Sequence, residues 1–286
     1  MGQITLFSTK KTLRIGGNLI SLDPPCIMGI LNVTPDSFSD GGELNTSGAL
    51  TDRAGTMIES GAKILDIGGY STRPGADDIS PEEETERLLP AIQTIRKNFP
   101  EIIISADTFR SEVARLAVEE GADMINDISG GSLDEAMFAT VAELNVPYVL
   151  MHMRGTPQTM KQHTEYNNLL DEMLNYFREK VQKLNNLGLR EIIIDPGFGF
   201  AKTIDQNYYL LKNLSYFESL GLPLLVGISR KSMIFRTLGT APGNAVNGTT
   251  VLNTEAILNG ASILRVHDVT EADECITLIQ KLNATI

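Results

Sequence analysis

One unit recurs along this 286-residue chain: a helix that stops at glycine, followed by an apolar, β-branched run. It appears as ESGAKILDIGG, EEGADMINDISGG, NLGLREIIIDPGFGF and NGASILRVHDV, with Gly61, Gly121, Gly188 and Gly260 at the point where a helix cap needs positive φ. Four more runs, PCIMGILNV, EIIISADT, VPYVLMHM and LPLLVGISR, bring the short strands to eight. Amphipathic stretches such as PEEETERLLPAIQTIRKN and RSEVARLAVEEG fall between them. Nearly continuous apolar strands alternating with helices predict an α/β architecture with a parallel sheet covered on both faces. Units of similar length, eight in about 250 residues, favour a single (β/α)8 TIM barrel over an open doubly wound sheet. No nucleotide-binding glycine pattern follows the first strand, which supports the same choice. Residues 1–286 read as one domain, and those before about Cys26, with the turn-like RIGGN, read as a short N-terminal β-hairpin placed to plug the barrel bottom.

The net charge of -12 argues against a general polyanion-binding surface, so nucleic acid is not an expected partner and any anion site must be local. Cys26 and Cys275 stand near opposite ends of the chain without metal or redox spacing and read as reduced packing residues of a cytoplasmic protein. The start lacks a secretory apolar stretch, and no segment offers the roughly 18 uninterrupted apolar residues of a membrane helix, so a soluble protein is expected.

Active sites of such barrels lie at the carboxyl ends of the strands. There the runs end in Asn32, Asp66, Asp107, Asn126, His152, Asp195, the stretch Ser229 to Ser232, and Arg265 with His267. Any one of these has a plain alternative as a helix cap or a packed side chain. A full ring of them is expensive to bury unless a ligand or water satisfies it. Asp107, Asn126 and Asp195 offer carboxylate and amide acceptors suited to an aminopyrimidinone edge, which is found in guanine and in pterins. DPGFGF places Phe198 and Phe200 beside Asp195 as candidate flat walls, and Lys231 and Arg265 offer cations for a ring carbonyl or ring face.

Two connections, Asn32 to about Ser47 and Gly68 to about Ser80, are longer than barrel connections usually are. The first carries Thr34, Asp36, Ser37 and Ser39; the second carries Ser71, Thr72 and Arg73. With Arg265 and His267 after the last strand, they suggest a phosphorylated group held under mobile lids, with a hard divalent ion as companion. No hydrolase-type pair of nucleophile and base is evident.

The chain resembles the dihydropteroate synthases, the folate-pathway enzymes targeted by sulfonamides. The resemblance runs from about Ile27 to Val269 through MGILNVTPDSFSDGG, DIGGYSTRPGA, ADTFRSEVA, NDISGG, LMHMRGTPQTM, DPGFGFAK, GISRKS and RVHDV, in family order. It implies a transferase that joins 6-hydroxymethyl-7,8-dihydropterin diphosphate to 4-aminobenzoate, releases diphosphate and uses Mg2+. It also implies pterin contacts from Asp107, Asn126, Met151, Asp195, Lys231 and Arg265. Diphosphate contacts are implied for Asn32, Asp66, Thr72, Arg73, Arg265 and His267, with Asn32 as the metal ligand. For 4-aminobenzoate the implied contacts are Thr72, Arg73, Pro74, Phe200 and Ser232. Asn32, Arg73, Lys231, Arg265 and His267 carry the catalytic roles in this reading, and a homodimer is implied as well.

Tyr70 departs from the Glu of many relatives, which raises the expectation of altered sulfonamide sensitivity; Ala106, in ISADT where ISVDT is commoner, should be neutral packing. Two rival readings remain. One is a pterin-binding barrel of the methyltetrahydrofolate methyltransferase type, which needs no diphosphate clamp such as STRPG, SRKS and RVH provide. The other is a catalytically silent paralogue, which should have shed its charged lid residues.

Overall fold

The computed structural model of the chain describes residues 9–33, 47–70 and 78–285. Its first element is a hairpin, β1 (Thr12–Ile15) and β2 (Asn18–Ser21), paired antiparallel with Ile15 opposite Asn18. Gly16 and Gly17 form its two-residue turn at φ 54° and 84°, a turn that requires positive φ at both positions.

Eight parallel strands follow: β3 (Cys26–Asn32), β4 (Ile64–Gly68), β5 (Ile103–Asp107), β6 (Met124–Asp127), β7 (Tyr148–Met151), β8 (Ile192–Asp195), β9 (Leu225–Val226) and β10 (Ile263–Val266). They pair in the order β8-β7-β6-β5-β4-β3-β10-β9. The ring closes between β8 and β9 through a single bridge, Ile194 to Leu224, with the Ile194 N–H donating to the Pro223 carbonyl at 3.0 Å. The helices on the outside are α1 (Ser47–Glu59), α2 (Pro81–Asn98), α3 (Ser111–Glu119), α4 (Met137–Leu144), α5 (Leu169–Asn186), α6 (Ile204–Lys212), the single turn α7 (Ser232–Phe235), α8 (Val246–Leu258) and α9 (Val269–Asn283).

The repeat seen in the sequence has one structural cause. At Gly61, Gly121, Gly188 and Gly260 φ lies between 95° and 110°, and the next N–H returns to a carbonyl five residues back, as Ala62 does to Met57 at 3.0 Å and Ala261 to Ala256 at 2.9 Å. This is the glycine-dependent closure that ends a helix and turns the chain back toward the sheet.

Side-chain alternation divides each strand between two environments. Ile27, Leu65, Ile104, Ile125, Leu150, Ile194 and Val226 belong to the large core beneath the helices. Met28, Ile64, Met124, Val149, Ile193, Leu225 and Ile263 fill the barrel interior, in one cluster with Leu13, Ile15 and Leu22 of the hairpin segment. The hairpin therefore seals the amino ends of the strands with apolar side chains. The inward positions one step further along include Asp66, Asn126, Asp195 and Arg265, with Ile30, Met151 and Gly227 between them, and they form the floor of the opposite opening.

Candidate active site

The centre of that floor is Arg265 on β10. Its Nε donates to Asp66 Oδ2 at 2.6 Å and its Nη2 to Asp107 Oδ2 at 2.7 Å, so one guanidinium spans two neighbouring strands. Asn126 on β6 donates from Nδ2 to the same Asp66 oxygen at 3.0 Å. Asp66 is fully buried and its Oδ1 has no partner among the described residues. Asp66 thus lies beneath the mouth and orients Arg265 and Asn126. Burial works against the charge on Arg265, but Asp66 and Asp107 outweigh it and hold the guanidinium above its ordinary pKa. Burial raises the Asp107 carboxyl, with Arg265 opposing and Asp66 reinforcing the shift.

The opposite wall comes from the turn after β8. Asp195, 6% exposed, accepts the Gly197 N–H at Oδ1 over 2.7 Å. Its pKa is raised by burial, against the pull of Lys231 and that hydrogen bond. A Cβ at Gly197 would stand 2.2 Å from the His152 carbonyl oxygen, so only glycine permits this approach. Lys231 donates from Nζ to the Phe198 carbonyl and lies 4.9 Å from the centre of the Phe200 ring. Burial lowers its pKa to about 8, although Asp195 favours the charge. Glycines leave room between these groups. A Cβ at Gly227 would lie 3.8 Å from Arg265, and one at Gly68 would lie 3.6 Å from both Asn32 Oδ1 and Asp107 Oδ2.

His267 follows β10. Its own N–H donates to Ser229 Oγ at 3.2 Å, and Ser229 Oγ lies 3.0 Å from Nδ1. In the tautomer in which the Ser229 hydroxyl donates to Nδ1, Nε2–H is the donor left for a ligand. Burial, with Arg265 and Arg230 adding to it, lowers the His267 pKa to about 4, so the ring is neutral at pH 7. Its contribution to an anion site is therefore a hydrogen bond and not a charge. Asn32 ends β3, half-buried, across the Gly68 gap from Asp107. Among the described residues no group of three His, Cys, Asp or Glu side chains gathers as a metal cage. A single amide oxygen facing that gap suits an ion such as Mg2+, which keeps several waters and takes its other oxygens from a phosphorylated ligand.

Several sequence expectations change or lie out of view. His152 is not part of the ring. β7 ends one residue earlier, at Met151, and His152 turns outward, 2% exposed and edge-on to Tyr176 at 4.8 Å. Phe198 is fully buried in the core beneath the helices, so of the two phenylalanines Phe200 alone borders the mouth. Met151 joins Ile128, Met153, Met160 and Ala201 in a small apolar cluster that includes Phe200 at its edge. Ser232 opens α7 and is half-buried. Tyr70 is buried, donating to Asp78 at 3.1 Å, accepting from Gln158 at 3.2 Å, and packed edge-on to Phe109. Ala106 packs in the core. Thr34, Asp36, Ser37, Ser39, Ser71, Thr72, Arg73 and Pro74 lie outside the described residues.

Sequence reasoning missed Lys202. Its buried Nζ contacts His152 Nδ1 and the Gly197 and Phe200 carbonyls, each at 3.1 Å, and so ties the whole 197–202 turn together. Burial lowers its pKa to about 7, with Asp195 opposing. The available signal was a lysine inside an otherwise apolar, glycine-rich turn.

Comparison with known proteins adds four observations. The pattern of the family described as "Pterin binding enzyme" matches residues 28–267. The dihydropteroate synthase of Synechocystis sp. is 50% identical over 246 residues, 85% of either chain. Among solved structures, the Xanthomonas albilineans dihydropteroate synthase with 4-aminobenzoic acid superposes at a TM-score of 0.90 with 39% identity, covering 97% of this chain and 100% of that one. The Yersinia pestis dihydropteroate synthase with a sulfonamide drug complex does so at 0.90 with 37% identity, over 96% and 100%.

Proposed function

The chain belongs to the dihydropteroate synthases of the pterin binding enzyme family, and we propose that it condenses 6-hydroxymethyl-7,8-dihydropterin diphosphate with 4-aminobenzoate, yielding 7,8-dihydropteroate and diphosphate. The observation that carries this reading is the Arg265 bridge to Asp66 and Asp107, set opposite Asp195 and Lys231 across glycine-lined space.

Asp195 and Asn126 take the aminopyrimidinone edge of the pterin, since a carboxylate accepts two parallel N–H bonds and an amide complements the remaining edge. Lys231 bonds the ring from the Phe200 side, Arg265 and Met151 bound its faces, and Asp107 accepts a further ring N–H while fixing Arg265. Asp66 is a positioning residue, because its partners are protein groups.

The C–O bond between the pterin methylene and the diphosphate breaks first, and its electron pair leaves with the phosphate oxygen. The cation left behind spreads over the dihydropterin ring, where the Asp107 and Asp195 carboxylates stabilise it. Arg265, the Nε2–H of His267 and, by their place in the STRPG motif, Thr72 and Arg73 hold the departing charge. When Mg2+ is bound, Asn32 would supply one of its oxygen ligands, and the ion would neutralise charge on the leaving group. The arylamine, held by Phe200, Ser232, Thr72, Arg73 and Pro74, attacks the methylene carbon to form the C–N bond and then loses its extra proton. Holding both reactants makes this second step effectively unimolecular.

Dimerisation through α8 and α9 is part of the proposal. These helices pack side by side and present Val251, Leu258, Leu278 and Leu282, each more than half exposed. A cytoplasmic location accords with two free cysteines and with the absence, among the described residues, of any helix long and apolar enough to cross a membrane. The test is turnover by the purified protein with each substrate alone and with both. Dihydropteroate and diphosphate in equal amounts, formed only from the pair, support the assignment; no product from the pair refutes it.

A further inference from the structure

Outside the barrel mouth, α1 and the start of α9 enclose a cleft of about 340 Å3 whose walls include Arg53, Ser60, His267, Thr270 and Glu271. His267 is shared between the cleft and the strand ends. The Thr270 hydroxyl donates to Ser60 Oγ at 3.0 Å and closes one side. The other cations nearby are already neutralised: Arg230 donates from Nε to Asp268 at 3.0 Å in a two-pronged pair, and Arg265 is held by Asp66 and Asp107.

Arg53 differs from both. It is half-buried, and among the described residues it makes no hydrogen bond or ion pair. A guanidinium partly removed from water without a partner is costly, and a ligand anion relieves that cost. Burial and the neighbouring Arg230 also depress its pKa, which marks an unmet demand for negative charge. Asp268 is paired with Arg230 and makes no side-chain cap on α9, and the first-turn residues Val269, Thr270 and Glu271 line the same cleft. Glu271 is the opposing feature, a carboxylate on the same cleft wall that makes no ion pair with Arg53 among the described residues.

We infer that this cleft is a second anion subsite, in which Arg53 receives the outer phosphoryl group of a diphosphate whose inner end is held by Arg265 and His267. The inference rests on the reading of the mouth as a pterin diphosphate site and extends it by a residue that no strand end supplies.

Titration calorimetry with inorganic diphosphate plus magnesium, and separately with 6-hydroxymethylpterin, separates the two ideas. Arg53→Ala should weaken diphosphate binding about ten-fold or more, the loss of one charged hydrogen bond, and leave the pterin affinity unchanged. Arg53→Lys should recover part of it, and Glu271→Gln should tighten it. Equal diphosphate affinity in wild type and Arg53→Ala overturns the inference. Should Arg53→Ala not fold, wild-type diphosphate affinity in both Arg53→Lys and Glu271→Gln overturns it instead. Wild-type protein that binds neither diphosphate nor the pterin sinks the underlying reading of the mouth.

Discussion

Asp195→Asn should separate ligand binding from folding. The carboxylate is 6% exposed, and burial raises its pKa. The folded protein therefore holds the proton more tightly than the unfolded chain. The linked stability falls as pH rises from the ordinary carboxylate range through the raised value, so at pH 7 the charge is a net cost. Asparagine keeps the shape and the 2.7 Å bond from Gly197 while removing that cost, and it also removes attraction for Lys231 and Lys202. These effects oppose each other, and the change in stability should stay within about 1 kcal/mol. Binding has no such compensation. Two N–H bonds to a charged acceptor are worth about 1.5–3 kcal/mol each, and the amide turns its NH2 toward one of the ligand's own donors. Pterin affinity should fall by roughly 10²- to 10⁴-fold. Thermal melting and calorimetry with 6-hydroxymethylpterin measure the two quantities. Wild-type pterin affinity, or a stability loss beyond about 2 kcal/mol, would refute the reasoning.

The pH profile of kcat/KM should fall as pH rises through about 8, because Lys231 loses the charge that bonds the ring; a profile flat well above that pH excludes this role. The chain has three histidines, which makes an NMR titration tractable. His267 should titrate near pH 4, and added diphosphate should raise that value; a midpoint near 6.5 in the free protein would contradict the buried neutral ring. Residues 34–46 and 71–77 are rich in Gly, Ser, Asp and Pro, so 4-aminobenzoate should bind after the pterin and diphosphate. Titrating it into the bare protein, and again with magnesium, diphosphate and a pterin lacking the leaving group, should show tight binding only in the second case. Equal tight binding in both would mean a preformed site. Leu278→Glu should shift a dimer to monomer in analytical ultracentrifugation, and an unchanged dimer would place the interface elsewhere.

The barrel was legible because its signals are local. Four helix ends show a glycine, at Gly61, Gly121, Gly188 and Gly260, and most strands are apolar on both faces until a polar residue near the mouth. Asp66, Asp107, Asn126, Asp195 and Arg265 could be located by that break in pattern alone. His152 could not be excluded, because one residue of strand register decides whether a side chain points in or out. Phe198 and Phe200 read alike in DPGFGF, yet the turn at Gly199, φ 81°, sends the first into the core and the second to the rim. Arg53 was invisible for another reason. It lies on α1 with no distinguishing neighbours, and its proximity to His267 comes from packing between segments more than 200 residues apart. The hidden pairing of Arg265 with Asp66 and Asp107 is long-range in the same way.

The central claim, that the carboxyl ends of the strands read a pterin and clamp its leaving group, is tested most directly by a crystal structure with 6-hydroxymethylpterin and magnesium diphosphate bound together. The account predicts the aminopyrimidinone edge against Asp195 and Asn126, with the ring between Arg265 and Met151. It places the diphosphate on Arg265 and His267, with its outer phosphoryl group toward Arg53. A pterin bound with that edge toward solvent, or a diphosphate seated away from Arg265 and His267, would contradict it.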